Sequence, residues 1–354
     1  MQGHEIEAEL TALEFAPSED LQEPTSRSVE HAAGPDSVCC AGRRCACSGC
    51  LAGFAPIVRL MGWTAAQLAG TDYLAAVTAL LRRIRLQDPL GNVLEAADLQ
   101  WWWRIDQHRD PTRQTFWFDD DGEPIAATIV TDWRGDLACD AFWSRTMTPH
   151  AVEVMWPQLI AMLETLDTDH VDLRIDDTDT AVLDRLADAR LVVTDDAAEV
   201  TTALPADRRP NVLPLPAGYR LTSRAETGDR PHHMIARSGT HVAERLAECS
   251  IYRPDLDLAI ENSAGDVVAY GLFWADDVTG IGLVEPMRTE DAYQGRGFAR
   301  HVLTTGLERL AAAGSKTFKV TYLDDNPMSR RLYLSAGFTA MGRACTYRWS
   351  GRPT

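Results

Sequence analysis

The chain has 354 residues, of which 45% are hydrophobic and 24% charged, so it is long and apolar enough to form two domain-sized cores. This composition excludes a protein disordered throughout, a collagen and a small disulfide scaffold. The net charge of −18 is concentrated in residues 1–216, which carry 36 acidic and 17 basic residues; residues 217–354 carry 16 and 17, and the acidic first half disfavours nucleic acid and anionic lipid as partners.

Residues 1–56 show no sustained periodicity and are rich in Glu, Ser, Pro and Gly, which predicts a disordered tail. The tail shows no secretory signal, and no part of the sequence contains a run of about 18 apolar residues. We therefore expect a cytoplasmic protein that does not enter the membrane. The tail contains five cysteines that could bind zinc or copper: Cys39, Cys40, Cys45, Cys47 and Cys50. Alternatively, the segment could be an unstructured or untranslated leader before Met61. We favour the leader and expect no metal.

Residues 57–204 are predicted to form a first domain with both helices and strands. Apolar residues at helical spacing predict helices over 74–86, 98–105, 152–166 and 180–189. Alternating or continuous apolar runs predict strands over 115–118, 125–131, 171–175 and 191–194. The proline-rich segment 205–216 is predicted to be a linker.

Residues 217–350 are predicted to repeat this order of elements in a second domain. Strands are expected at 256–260, 267–274, 281–284, 317–322 and from 338, with helices at 299–313 and 327–336. Gly122 and Ala126 match Gly265 and Ala269 at an offset of 143, although chance could produce such matches. We therefore expect an α/β (α+β mixed sheet) fold of two tandem domains, each a mixed, mostly antiparallel central sheet flanked by helices.

A glycine-containing loop joins the strand 281–284 to the helix 299–313. Its backbone N–H groups and the first turn of the helix could converge on a pyrophosphate. The glycines allow close approach, and the arginines add positive charge. The residues assigned to this anion site are Gln294, Gly295, Arg296, Gly297, Phe298, Ala299 and Arg300. Alone, such a loop could equally be a simple turn, because it lacks the Lys-Ser/Thr of a P-loop.

A second motif downstream makes the pattern specific. Asn326, Ser329, Tyr333 and the pair Gly337-Phe338 follow the loop after an intervening helix and strand. Together with Gln294, Gly297 and Ala299, this spacing resembles the GCN5-related N-acetyltransferase (GNAT) superfamily over residues 217–350.

The resemblance implies that acetyl-CoA, or another acyl-CoA, is the co-substrate. Its pantetheine arm would lie along the strand at Met287, Arg288 and Thr289, where a backbone N–H polarises the thioester carbonyl. Tyr333 would protonate or hydrogen-bond the departing thiolate. Asn326 would orient the cofactor or the strand end, and Ser329 is assigned to the same cofactor-binding site.

The general base is less sharply indicated. Glu285, at the end of the core strand, is the first candidate, and a strand-end carboxylate in a salt bridge is the alternative. His232 and His233 lie where the acceptor pocket is usually built in this superfamily, but we expect them at the surface or at a helix cap.

The first domain lacks the chemical residues of the second. At an offset of 147, the glycine loop corresponds to Met147, Thr148, Pro149 and His150, and Tyr333 corresponds to Leu186. We expect a degenerate GNAT copy that contributes packing, a wall of the acceptor cleft or regulation.

The predicted function is an acyl-CoA-dependent N-acyltransferase that transfers the acyl group directly to a primary amine of a small molecule or peptide. A non-catalytic acyl-CoA-binding regulator is the main alternative, and a metal-responsive protein built on the cysteine cluster is a third. The sequence does not identify the acceptor, since variable loops form its pocket. A tandem chain can imitate a dimer internally, which favours a monomer.

Overall fold

The computed structural model describes residues 59–351, except 61–62, 92–93, 106–111, 134, 145–147 and 187–188. The tail predicted over residues 1–56, with its five cysteines, lies outside the described residues. No helix in the described part of the chain is long and apolar enough to cross a membrane.

The first unit contains eight strands and four helices among the described residues. Its strands are β1 (Arg59–Leu60), β2 (Trp63–Leu68), β3 (Gln114–Phe118), β4 (Pro124–Trp133), β5 (Asp136–Trp143), β6 (His170–Asp176), β7 (Leu191–Val193) and β8 (Glu199–Pro205). Its helices are α1 (Gly70–Gln87), α2 (Ala96–Trp103), α3 (Thr148–Leu163) and α4 (Thr180–Leu183). The helix predicted over 180–189 is a single turn, and the predictions omitted β1, β2, β5 and β8.

The second unit begins after an extended segment. Its strands are β9 (Arg220–Ser223), β10 (Asp257–Glu261), β11 (Val267–Ala275), β12 (Ile281–Thr289), β13 (Thr317–Leu323) and β14 (Thr339–Ser350). Its helices are α5 (Arg224–Thr227), α6 (Ile235–Ser238), α7 (Val242–Ala247), α8 (Phe298–Ala312) and α9 (Pro327–Ser335). Helices α5 to α7 were not predicted, because they are too short to show helical periodicity.

Local signals set the ends of the helices that matter for the site. The Glu95 and Asp98 side chains form a reciprocal capping box at the start of α2. Asn326 caps α9, its side chain accepting a hydrogen bond from the Ser329 backbone N–H, and Pro327 occupies the first helical turn. The last turn of α8 ends at Gly314, which has a φ of +99°.

All strands of the described residues join in one sheet, whereas a central sheet in each domain was predicted; its mixed, mostly antiparallel character is as predicted. The order is β1-β2-β3-β4-β5-β6-β14-β8-β13-β12-β11-β10-β9, with β7 paired to β14. Only β5 with β6 and β12 with β13 run parallel in the described residues.

The two units exchange strands. β8 belongs to the first unit by chain order, yet Ala203 pairs with Lys319 on β13 and with Thr339 on β14. Reciprocally, Trp349 near the end of β14 pairs with Val171 on β6 and with Leu191 on β7. The predicted domain boundary at 204/205 assigns β8 to the first unit by chain order. By its hydrogen bonds, however, β8 belongs to the part of the sheet formed by the second unit's β13 and β14.

A hydrophobic core is shared between the units. Leu81, Leu99 and Trp101 from α1 and α2 are buried in the same cluster as Leu246 on α7 and Trp274 on β11. Helix α2 thus packs on β12 and α7 of the second unit, and α1 packs on β4 and β5 of the first. The strands of the second unit also pack on α8, in a separate core.

Buried charges also cross between the units. Lys319 Nζ on β13 lies 2.6 Å from Glu95 Oε1 on the first unit, and Arg85 Nη2 lies 2.7 Å from the same oxygen. Burial by itself raises the pKa of the Glu95 carboxyl, but Lys319 and Arg85 together bring it below its ordinary value. The three side chains form an ionised cluster that ties β13 to the start of α2.

We expect Lys319→Met to lower the free energy of unfolding by about 2 kcal/mol, because the buried Glu95 carboxylate loses one hydrogen bond from a charged donor and keeps its ion pair with Arg85. Urea unfolding at pH 7 measures this. The chain's only other lysine, Lys316, is exposed, so Lys316→Met is a matched control that should leave stability within about 0.5 kcal/mol of wild type. Equal stabilities of the two variants would contradict the role of the cluster.

Candidate active site

The central feature of the second unit is a parting of the parallel strands β12 and β13. They pair at Ile281 with Thr317, at Gly282 with Phe318 and at Leu283 with Lys319, and the pairing ends there. β12 continues to Thr289 along β11, while β13 continues to Leu323 along β8. A cleft therefore opens between two strands that both remain anchored on their outer sides.

A bulge lies at the point where the strands part. Phe273 pairs with Val284 and Gly271 with Met287, so Glu285 and Pro286 together face the single residue Leu272. Proline has no backbone N–H to give to a ladder, which is consistent with an interruption here. The predicted pantetheine segment, 287–289, follows the bulge directly.

The glycine loop follows the end of β12, the strand that borders this cleft, and leads into α8. Gly295 and Gly297 have φ values of +71° and +88°, and Gly297 caps α8 without a side-chain hydrogen bond. A Cβ built at either glycine meets nothing within 4 Å. The helix's hydrogen bonding begins with His301 N donating to Gly297 O at 3.0 Å, so the first-turn N–H groups of 298–300 precede the ladder. The open turn and these N–H groups leave room for an anion, and the anion site stays a prediction.

The polar side chains of the loop form hydrogen bonds with other residues of the protein. Arg300 donates to Ser335 Oγ at 2.6 Å and to Ser335 O at 3.0 Å, which joins α8 to α9. Arg296 donates to Ala292 O at 2.8 Å, and the Gln294 amide donates to Asp291 Oδ1 at 3.2 Å. Phe298 is buried in the core, so only its backbone can face a ligand.

The side chains of the predicted pantetheine segment, residues 287–289, also lie close to other residues of the protein. Met287 Sδ lies against Gly271, at 2.6 Å from the position that a Cβ there would take. Arg288 Nε lies 3.4 Å from Glu290 Oε1. Thr289 pairs with Ala269 on β11. The Thr289 Oγ1 atom is buried and has no hydrogen-bond partner among the described residues.

Tyr333 lies on α9 and is 1% exposed. Its ring stacks on Tyr322 at a centroid distance of 6.3 Å and meets Phe338 edge-on at 6.0 Å. Burial raises the pKa of the Tyr333 phenol, and the charge of nearby Glu285 raises it further. The phenol is therefore protonated at neutral pH, which suits a proton donor. Asn326 acts as the helix cap described above, and the Ser329 backbone is its partner.

Glu285 has a partner that the sequence did not indicate. Its side chain is hydrogen-bonded to the carboxyl of Asp98 on α2, in the first unit. Burial raises the pKa of Glu285 well above its ordinary value, and the like charge of Asp98 adds to this effect. Its backbone O accepts from Trp274 Nε1 at 2.8 Å. A pair of carboxyl groups is thus found where a strand-end salt bridge was the alternative to a general base.

His232 and His233 are buried, contrary to the expected surface position, because they pack around Asp257 at the start of β10. His232 Nε2 lies 3.0 Å from Asp257 Oδ2, and His233 Nε2 lies 3.4 Å from Oδ1. These three side chains could be considered as metal ligands by distance. However, the Met234 N–H donates to His232 Nδ1 at 3.2 Å, so His232 Nε2 carries the hydrogen and has no lone pair for a metal.

The first unit repeats the parting of strands. β5 pairs with β6 only at Ala138 with Asp172 and at Cys139 with Leu173, and a cavity of about 310 Å³ lies beyond. The corresponding loop position at Met147 lies outside the described residues, and residues 148–150 form the first turn of α3. Leu186, at the position of Tyr333, is buried.

Residues 219–338 match the model of the acetyltransferase (GNAT) family. This range contains the parted strands, the glycine loop and Tyr333. The second unit is a GNAT-family acetyltransferase domain. The predicted resemblance is thereby confirmed, and the domain has the fold of an acyl-CoA-dependent acyltransferase.

Solved structures extend the likeness to most of the chain. A tandem GNAT protein from the clavulanic acid biosynthesis pathway has a TM-score of 0.61 at 13% identity, covering 82% of this chain and 99% of its own. A GCN5-related N-acetyltransferase from Sphaerobacter thermophilus has a TM-score of 0.53 at 16% identity, covering 84% and 98%. A GNAT acetyltransferase from Colwellia psychrerythraea has 0.50 at 14%, covering 81% and 99%.

At these identities the similarity shows the fold alone, and that fold is a tandem GNAT arrangement, as predicted. No curated protein matches the chain in sequence. The degenerate character of the first unit stays a prediction.

Proposed function

We propose that the second unit transfers an acyl group from an acyl-CoA, most simply acetyl-CoA, directly to a primary amine of a small molecule or peptide. The observation that carries this proposal is that three features occur together in one unit: the open glycine turn, the parting of β12 from β13 and the buried phenol of Tyr333 near Glu285. The thioester supplies an activated acyl group.

Each part of the site would have a separate role in the transfer. The turn at Gly295 and Gly297, with the first N–H groups of α8, would bind the diphosphate. Backbone N–H groups of β12 beyond the bulge would hold the carbonyl oxygen, which gains negative charge during transfer. As the N–C bond forms and the C–S bond breaks, Tyr333 would give its proton to the leaving sulfur. The proton lost by the amine would pass to Glu285 or through water.

The test combines calorimetry of acetyl-CoA with spectrophotometric detection of released thiol. The acceptors are a polyamine, an amino acid, an aminoglycoside and a peptide with a free N-terminus. We expect binding of one acetyl-CoA to the second unit's cleft, and thiol release that depends on at least one amine. Binding without amine-dependent release would favour the regulator instead, and absence of binding would overturn both functions.

A further inference from the structure

The contact between Asp98 and Glu285 joins two units that are far apart in sequence. Asp98 is the third residue of α2, and its Oδ2 accepts from the Glu95 backbone N–H at 2.5 Å. Its carboxyl is also hydrogen-bonded to Glu285, on the bulge where β12 leaves β13. Asp98 is 7% exposed. The first unit therefore places a carboxyl against the candidate base of the second.

Two carboxyl groups can form a hydrogen bond to each other only if a proton lies between them, because two carboxylates are acceptors alone. Burial raises the pKa of both groups, and a pair that shares one proton carries one negative charge. Seven other charged or titratable groups interact electrostatically with Asp98 or Glu285, and they lie on or next to α2, β5, β6, β8, β13 and α9. They are Glu95, Arg104, Asp140, Arg174, Glu199, Lys319 and Tyr333.

We propose that Asp98 is a positioning residue of the second unit's active site, which holds the Glu285 carboxyl at the cleft and shares its proton. This inference rests on the proposed function and assigns the first unit a part in it. The single negative charge of the pair attracts an acceptor that arrives as an ammonium ion. When the pair has lost its shared proton to solvent water, it can take one from the ammonium, which leaves a neutral amine and restores the singly protonated pair.

The variant Asp98→Asn separates this role from a purely structural one. Asn keeps a side-chain oxygen for the Glu95 N–H but removes the like charge beside Glu285. The pKa of Glu285 should then fall, and the acidic limb of the kcat/KM profile should move to lower pH by roughly one to three units. The Kd for acetyl-CoA should stay within about twofold. Asp72→Asn, an exposed aspartate on α1, is the charge-matched control and should leave the profile in place.

Infrared spectroscopy of the protein without substrate gives a second readout. The wild type at pH 7 should show the C=O stretch of the protonated Asp98–Glu285 pair as a band in the difference spectra against both Asp98→Asn and Glu285→Gln. Burial raises the pKa of Asp140 to about 7, and its own C=O stretch is common to the three proteins. If Asp98→Asn does not fold, the band in the wild type and its loss in Glu285→Gln still test the shared proton.

The outcomes are distinguishable. An active wild type whose pH profile coincides with that of Asp98→Asn overturns the inference and leaves the proposed function standing. A wild type that binds acetyl-CoA but shows no amine-dependent thiol release overturns the proposed function, and the positioning role falls with it. Absence of the infrared band from the wild type refutes proton sharing independently of activity.

Discussion

Tyr333→Phe should lower kcat by about 10²- to 10⁴-fold, the range for loss of a general acid. The substitution removes only the hydroxyl, since the ring keeps its contacts with Tyr322 and Phe338. The free energy of unfolding should therefore change by less than about 1 kcal/mol. Steady-state kinetics with the best acceptor of the panel, together with urea unfolding, measure the two effects.

Tyr322→Phe is the matched control for this loss. Tyr322 lies on β13, is 5% exposed and stacks on Tyr333, so the variant removes a phenol hydroxyl from the same aromatic cluster. We expect its kcat to stay close to that of the wild type. If Tyr333→Phe also turns over at the wild-type rate, another group protonates the leaving thiolate.

Gly297→Ala should weaken acetyl-CoA binding by roughly 10- to 100-fold, as expected when one or more hydrogen bonds to a charged group are lost. A non-glycine residue at a φ of +88° is strained by about 1–2 kcal/mol, and relief of that strain turns the loop's N–H groups away. The added methyl group also enters the open space in front of α8. Calorimetry of acetyl-CoA measures the change in Kd.

Gly314→Ala controls for the strain itself. Gly314 lies just beyond the other end of α8, has a φ of +99°, and a Cβ there also meets nothing within 4 Å. Both variants should lose similar stability, but only Gly297→Ala should lose affinity. Equal affinities in the two variants would show that the glycine turn does not bind the diphosphate.

The sequence by itself determined the local parts of the second unit. The glycine loop before α8, the Asn326-Pro327 start of α9 and the hairpin turn at Gly265 each depend on residues within a few positions of one another. Backbone preferences and side-chain caps act over this range, so a linear pattern records them. This is why the motif sufficed to predict the family and the position of its helix.

Tertiary structure alone decided the exchange of β8 and β14, the burial of His232 and His233, and both polar contacts between the units. Lys319 and Glu95 are 224 positions apart, and no pattern in the chain links Asp98 to Glu285. Which strands become neighbours depends on how two whole sheets close against each other, and the pairing of buried charges follows from that closure. The partner of the candidate base therefore became visible only when α2 was packed on β12.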